Sequence, residues 1–192
     1  MPTGEIVPDT DGPLTEWTVI GGTGTHESAI DEARASPNTA DRIHGDQPSG
    51  DDNVIDMFEM STFTMGGTIT QIEVFAYCQG AATYGGNAEI DFLDIFGSGW
   101  QGYQYLNPGT GAYAWKSVTF AGLNMNQADL NSCAIRIRAD LAISKTGIDI
   151  ACVYAVVTYT VGYGHDFLGV PAANIDNVIG VPTENIDKII GV

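Results

Sequence analysis

Between Glu16 and Val161 apolar and polar residues alternate in short runs broken by turn-forming residues, a period of two that belongs to strands and not to helices. Eight stretches carry this chemistry: "EWTVI", "NVIDMFEM", "TITQIEVFAY", "AEIDFLDIF", "YQYL", "WKSVTFAGL", "CAIRIRADLAI" and "IDIACVYAVVTYTV". In the seventh, Cys133, Ile135, Ile137, Ala139, Leu141 and Ile143 fall on one face while Arg136, Arg138 and Asp140 take the other, so one side is core and the other wet. The eighth is apolar on both faces, which predicts a central strand whose outer side meets a helix, an arm or another subunit. Turn signals "MGG", "YGGN", "NPGTG" and "KTG" separate the runs. Helical periodicity is nearly absent; the exception is "HESAIDEARA", where Ser28 would cap and Ala29, Ile30 and Ala33 would line one side. The pattern predicts an all-β chain, an antiparallel jelly-roll-like β-sandwich.

The two ends read differently. Residues 1–13 are rich in Pro, Gly and Asp and are expected to form a flexible arm, residues 14–162 the sandwich, and residues 163–192 a tail. The tail, "GVPAANIDNVIGVPTENIDKIIGV", sets one 11-residue phrase beside a second copy with seven of 11 positions identical. Within a copy, Pro suits a first helical position, Ile175, Val178 and Ile179 recur at helical spacing, and Gly180 can end the turn. Each copy is therefore expected to be a short amphipathic turn. Two copies are too few for a solenoid, so Val170, Ile175, Val178, Ile179, Val181, Ile186, Ile189 and Ile190 need cover, from their own domain or from sister chains. Contacts repeated at regular steps favour self-association as the expectation.

Composition narrows the partners. Seven Lys plus Arg against 24 Asp plus Glu give a formal charge of −17, a field that repels phosphate backbones and anionic membrane surfaces. Nucleic acid and membrane are not expected as partners. Cys78, Cys133 and Cys152 lack CxxC spacing, and the last two sit in phase with apolar neighbours, so buried thiols are expected. "MPTGEIVPDTDGP" lacks the basic and apolar regions of a secretory signal, and the longest wholly apolar run, "IACVYAVV", has eight residues, too few to span a bilayer. Synthesis in a cytosol is expected, with release by a route such as lysis.

Catalytic motifs are scarce. "VIGGTGTHESAIDEA" has a strand and a Gly-rich turn but lacks the third glycine of a dinucleotide fingerprint, and "PNTADRIHGDQPSG" after it reads as loop. No GxSxG elbow is present, and His26, His44 and His165 show no zinc-site spacing and read as exposed polar residues. A glycosidase pair among Glu73, Glu89, Asp91 and Asp94 competes with the plainer reading of a solvated strand face. "DTDG" and "GDQPSGDDN" offer oxygen ligands for calcium without EF-hand spacing, against solvated loops. No catalytic residue, metal or cofactor is expected.

One run is unusual. "GWQGYQYLNPGTGAYAW" places Trp100, Tyr103, Tyr105, Tyr113 and Trp115 within 16 residues. Tyr103 and Tyr105 would share a face, as would Tyr113 and Trp115, so cross-strand packing explains them; flat rings on a sandwich also stack on sugar faces. Trp100, Tyr103, Tyr113 and Trp115 are thus candidate glycan-binding residues.

The Gly-Val-Pro-x-x-Asn-Ile-Asp-x-x-Ile tail resembles C-terminal repeats in virion proteins of tailed phages, and the body, with "EWTVI", "VIDMFEMSTFTM" and "VYAVVTYTV", is similar to small jelly-roll proteins of phage structural gene clusters. The resemblance implies a non-enzymatic virion protein: a capsid decoration (cement) protein, a head fibre or a tail-fibre part. The leading expectation is a homotrimeric decoration protein on the particle exterior that contacts the major capsid protein or other virion proteins. The alternative is a glycan-binding module or receptor-binding part of a tail fibre, and a third reading is a hydrolase with paired acids.

Overall fold

The computed structural model describes residues 1–22, 24–45, 54–80, 87–94, 99–109, 111–140, 147–161, 177–178 and 181–182; for residues 87–94, 99–100, 140, 177–178 and 181–182 it describes the backbone alone. In chain order the elements are β1 (Thr3–Ile6), β2 (Pro8–Thr15), β3 (Thr18–Ile20), β4 (Arg42–Gly45), β5 (Ile55–Met60), β6 (Ile69–Gly80), β7 (Asn87–Asp94), β8 (Gly99–Trp100), β9 (Gln104–Leu106) and β10 (Ala114–Met125). The one-turn helix α1 (Gln127–Leu130), β11 (Ala134–Asp140), β12 (Ile148–Tyr159), β13 (Asn177–Val178) and β14 (Val181–Pro182) complete it.

Two six-stranded sheets face each other. Sheet 1 runs β10-β6-β12-β4-β3 with β1 also on β12; sheet 2 runs β2-β5-β11-β7-β8 with β9 also on β7. The pairings are antiparallel. From β5 onward the longer strands alternate between sheets, so each inward face meets its sequence neighbours across the core, in the jelly-roll manner. The eight strands expected from alternation all form, as β3, β5, β6, β7, β9, β10, β11 and β12.

Alternation explains the core. On β6, Ile72, Val74, Ala76 and Cys78 are buried while Glu73, Phe75, Tyr77 and Gln79 point the other way. On β11 and just before it, Cys133, Ile135, Ile137 and Ala139 are buried and Arg136 and Arg138 face outward, as expected. On β12 the register shifts between Ile150 and Cys152, so Ala151 is a bulge that switches the phase. Ile148 and Ile150 face the core before it; Val153, Ala155 and Val157 do so after it. This is why the strand reads apolar on both sides. A segment of its own chain docks on its middle: Val153 N donates to Ile30 O at 2.9 Å, and Cys152 Sγ donates to Glu32 O at 3.1 Å. The three thiols are buried and free, and burial pushes each up to about 12.

Several expectations need correction. Residues 1–13 are not a flexible arm, because β1 pairs with β12 and β2 pairs with β5. Part of the stretch read as loop is β4, which joins β12 to β3. "HESAIDEARA" yields only a 3-10 turn, Glu27–Ala29; Ala29 and Ile30 are buried but Ala33 is exposed, and Ser28 Oγ donates to Thr25 O without capping. A helical turn forms instead at α1, where Asn126 and Asp129 cap it reciprocally. In the tail, Val178 pairs with Val181 and Asn177 with Pro182, an antiparallel ladder across the junction of the two copies and not a helical turn. Runs of β-branched Val and Ile pack better in extended pairs than in a single uncapped turn. Val170, Ile175, Ile179, Ile186, Ile189 and Ile190 lie outside the described residues. No helix among the described residues is long and apolar enough to cross a membrane.

Candidate functional site

The outer face of sheet 1 carries a continuous row of rings. Outward phase on β6 supplies Phe75 and Tyr77, and antiparallel register sets Trp115 of β10 opposite Tyr77 and Tyr154 of β12 opposite Phe75. Tyr113, just before β10, stacks on Tyr77 with centroids 5.4 Å apart and planes at 26°. Tyr77 meets Trp115 at 5.1 Å, Trp115 meets Tyr154 edge-on at 5.2 Å and 74°, and Tyr154 stacks on Phe75 at 4.7 Å and 3°. Phe75, Tyr77, Tyr113 and Trp115 are half-buried, whereas Tyr154 is 2% exposed. Over that end of the row sits the Arg34 guanidinium, 5.0 Å from the Tyr154 centroid and 5.9 Å from that of Phe75.

A polar cluster closes the other end. Asp149 of β12, opposite both Gln79 and His44, receives a bond from Gln79 Nε2 at 2.9 Å and lies 2.6 Å from His44 Nδ1 and 3.3 Å from Arg42 Nε. Burial alone would raise the Asp149 carboxyl, but the His44 and Gln79 hydrogen bonds and the Arg42 charge hold it below the usual carboxylate range. The His44 ring fills the space a side chain at position 147 would need: a Cβ on Gly147 would stand 2.0 Å from its Cε1. Tyr113 lies beside the cluster, and burial together with the Asp149 charge pushes its hydroxyl well up, keeping it protonated as a donor.

The candidate residues from the aromatic run do not form one site. Tyr113 and Trp115 join the sheet 1 row, but Tyr103 lies at sheet 2, 4.5 Å and 4.1 Å beneath the guanidiniums of Arg136 and Arg138. Trp100 is in β8, which pairs with β7 at the edge of sheet 2, and Tyr105 of β9, also on β7, is 65% exposed. The chain crosses from β9 in sheet 2 to β10 in sheet 1 between these residues, which splits the run over two faces. Phe75, Tyr77, Tyr154, Arg34 and Asp149 were missed; the alternation of Phe75 and Tyr77 with Val74, Ala76 and Cys78 was the signal that could have found two of them.

The two described histidines, His26 and His44, are not plain exposed residues. His44 belongs to the cluster above, and His26 Nδ1 lies 2.6 Å from Asp56 Oδ2, whose other oxygen accepts from Trp17 N at 2.8 Å. Asp56 is 0% exposed, and burial pushes its carboxyl up despite the bonds from His26 and Trp17. This pair ties the 3-10 turn to β5. Asp11, offered as a calcium ligand, instead accepts from His26 N and Glu27 N at 3.1 and 2.8 Å. Its "GDQPSGDDN" counterpart lies mostly outside the described residues, as does His165. Among the described residues no group of three or more His, Cys, Asp or Glu is placed to hold a metal ion. Glu73 stands on sheet 1, whereas Glu89 and Asp91 sit on sheet 2 in register with Arg138 and Arg136, so Glu73 does not pair with them. A shallow cleft of about 430 Å³ at the rim of sheet 2, between Asp9, Glu59, Ser61 and Asn131, holds no rings.

No protein-family model matches the chain, and no curated protein does. Among solved structures it is similar to TmCBM61, solved in complex with β-1,4-galactotriose (12% identity, 80% of this chain and 87% of that one, TM-score 0.38). It is also similar to the CBM22-1 xylan-binding domain of Paenibacillus barcinonensis Xyn10C (13%, 81% and 94%, 0.35). A third likeness is to the enzymatically active domain of bacteriophage CBA120 tailspike protein 4 (14%, 82% of this chain but 19% of that one, 0.43).

Proposed function

We propose that this protein is a non-catalytic glycan-binding module whose ligand lies along the outer face of sheet 1. The observation that carries the reading is the row Tyr113, Tyr77, Trp115, Tyr154, Phe75 on the side of an antiparallel sheet that water ordinarily claims for polar residues. Rings on a rigid sheet give a sugar's apolar C–H face a partner at small entropic cost, since the strands already fix them. Gln79, His44 and Arg42 supply polar groups at one end, the few placed donors that orient a ligand on an apolar surface.

The test is isothermal titration against a panel of soluble polysaccharides, with wild type, Tyr77→Ala and Trp115→Ala. At least one glycan should bind, and each substitution should weaken it tenfold or more, roughly the loss of one buried aromatic anchor. A folded protein that binds nothing on a broad panel, or a Tyr77→Ala variant of undiminished affinity, would remove the reading.

A place on a virion and self-association through the tail form a second proposal. The Val178↔Val181 ladder at the junction of the copies supports the self-association part alone, because a two-stranded ribbon offers edges to which a sister chain can add.

A further inference from the structure

The segment between the 3-10 turn and β4 crosses the aromatic row. β12 has β4 along residues 148–150 and β1 along residues 155–158, and no strand among the described residues bonds the stretch between them on that side. Ile30 O and Glu32 O dock there, on Val153 N and Cys152 Sγ, the second through a weak thiol donor. Two residues on, Arg34 reaches over Tyr154 and Phe75. Its side chain is 58% exposed, and the carboxylate of Glu5, at 4.0 Å, is a loose partner. Ala33, Arg34, Ala35 and Ser36 are all exposed. The segment is thus held by few bonds, yet it covers the most buried ring of the row.

We propose that this segment is a displaceable cover, with Arg34 occupying the place over Tyr154 and Phe75 that a sugar ring takes on binding. The inference rests on the glycan reading. It turns a row that is partly self-occupied into one whose length depends on whether the cover is docked.

Glu32 gives the cover a pH dependence. Its Oε2 is buried without a hydrogen-bond partner, and burial, with the charges of Asp41 and Asp31, pushes the carboxyl from 4.5 to about 7. The groups around it are Asp31 and Asp41 from the same segment and, from β12, the Cys152 thiol, which also feels Glu5 of β1; Arg34 and Arg42 are the cations of the region. A carboxyl raised in the docked state favours docking at low pH, and that advantage is lost as pH rises from 4.5 through about 7. Undocking should therefore become severalfold more frequent at mildly alkaline pH.

The experiment compares wild type, R34A, R34Q and E32Q. On the best glycan of the panel, R34A and R34Q should bind severalfold tighter than wild type, because two ring faces are released. Amide exchange at Val153, corrected for the intrinsic rate, should speed up with pH in wild type and stay flat in E32Q. If wild type binds and neither Arg34 variant tightens, the cover is overturned while the glycan reading stands. If no protein binds any glycan, the reading falls and the inference falls with it. Val153 exchange in wild type that tracks only the intrinsic rate overturns the role given to Glu32.

Discussion

His44 Nδ1 lies 2.6 Å from Asp149 Oδ1, joining β4 to the strand beside it through side chains as well as backbone. Asp149 is held ionised, so the carboxylate only accepts and Nδ1 is the donor. With Gln79 and Arg42 on the second oxygen, the acid binds three elements, β4, β6 and β12, at one point.

The depressed Asp149 fixes the sign of an acid effect. Its stabilisation is present above the ordinary value of 3.8 and is lost as pH falls through the lower folded value. Asp149→Asn should cost about 1–3 kcal/mol at neutral pH, since a buried hydrogen-bonded charge is removed and its donors lose an acceptor. Its stability should also fall less steeply than that of wild type in acid. Urea titrations at neutral and acidic pH check both, and parallel curves for the two proteins would contradict the assignment.

Within the ring row, stability and binding should separate. Tyr154 is buried and stacked on Phe75, so Tyr154→Ala should cost about 3–5 kcal/mol, the range for removing a core aromatic. Tyr154→Phe keeps the stack and should be close to wild type. Half-buried Tyr77 should cost less on truncation, and its substitution should appear chiefly as lost glycan affinity. Thermal melts beside titrations distinguish the two effects.

Thiols at about 12 carry almost no thiolate near neutrality and should resist alkylation in the native state. Iodoacetamide labelling followed by mass spectrometry should find none of the three modified in the folded protein and all three in urea. Cys152 lies beneath Glu32, so it should be first to react when the pH is raised. Faster labelling of Cys78 would place the opening elsewhere.

Deleting the tail from Gly169 should leave glycan affinity unchanged, because the row is built from sheet 1 and the segment before β4. Titration checks the affinity, and a loss would move the site to the tail. Sedimentation velocity on the same pair decides the assembly proposal: a smaller species after deletion supports it, and equal species remove it.

Much of the fold was legible because period two is a strong signal wherever one face is core. It failed where strands are short or lie at an edge. β2, "PDTDGPLT", has two prolines and register shifts, which a strand at the end of a sheet tolerates because one side needs no ladder bonds. β4 is four residues with Arg and His outward, and its polarity made sense only once Asp149 stood beside it. The bulge at Ala151 has no local signature, so the outer phase of Tyr154 could not be read. Ring density near position 100 was visible, but which ring belongs to which sheet depends on a crossing that spacing does not encode.

The middle of β12 is filled on one side by a loop carbonyl, Ile30 O, where a strand would otherwise lie. A twelve-residue strand with apolar side chains on both faces is the kind of segment that recruits foreign strands and seeds fibrils. An irregular plug held by a single backbone bond blocks such templating without extending the ladder. The plug thus denies that stretch of the strand to other chains, and conditions that free residues 30–36 should be the ones that bring on precipitation.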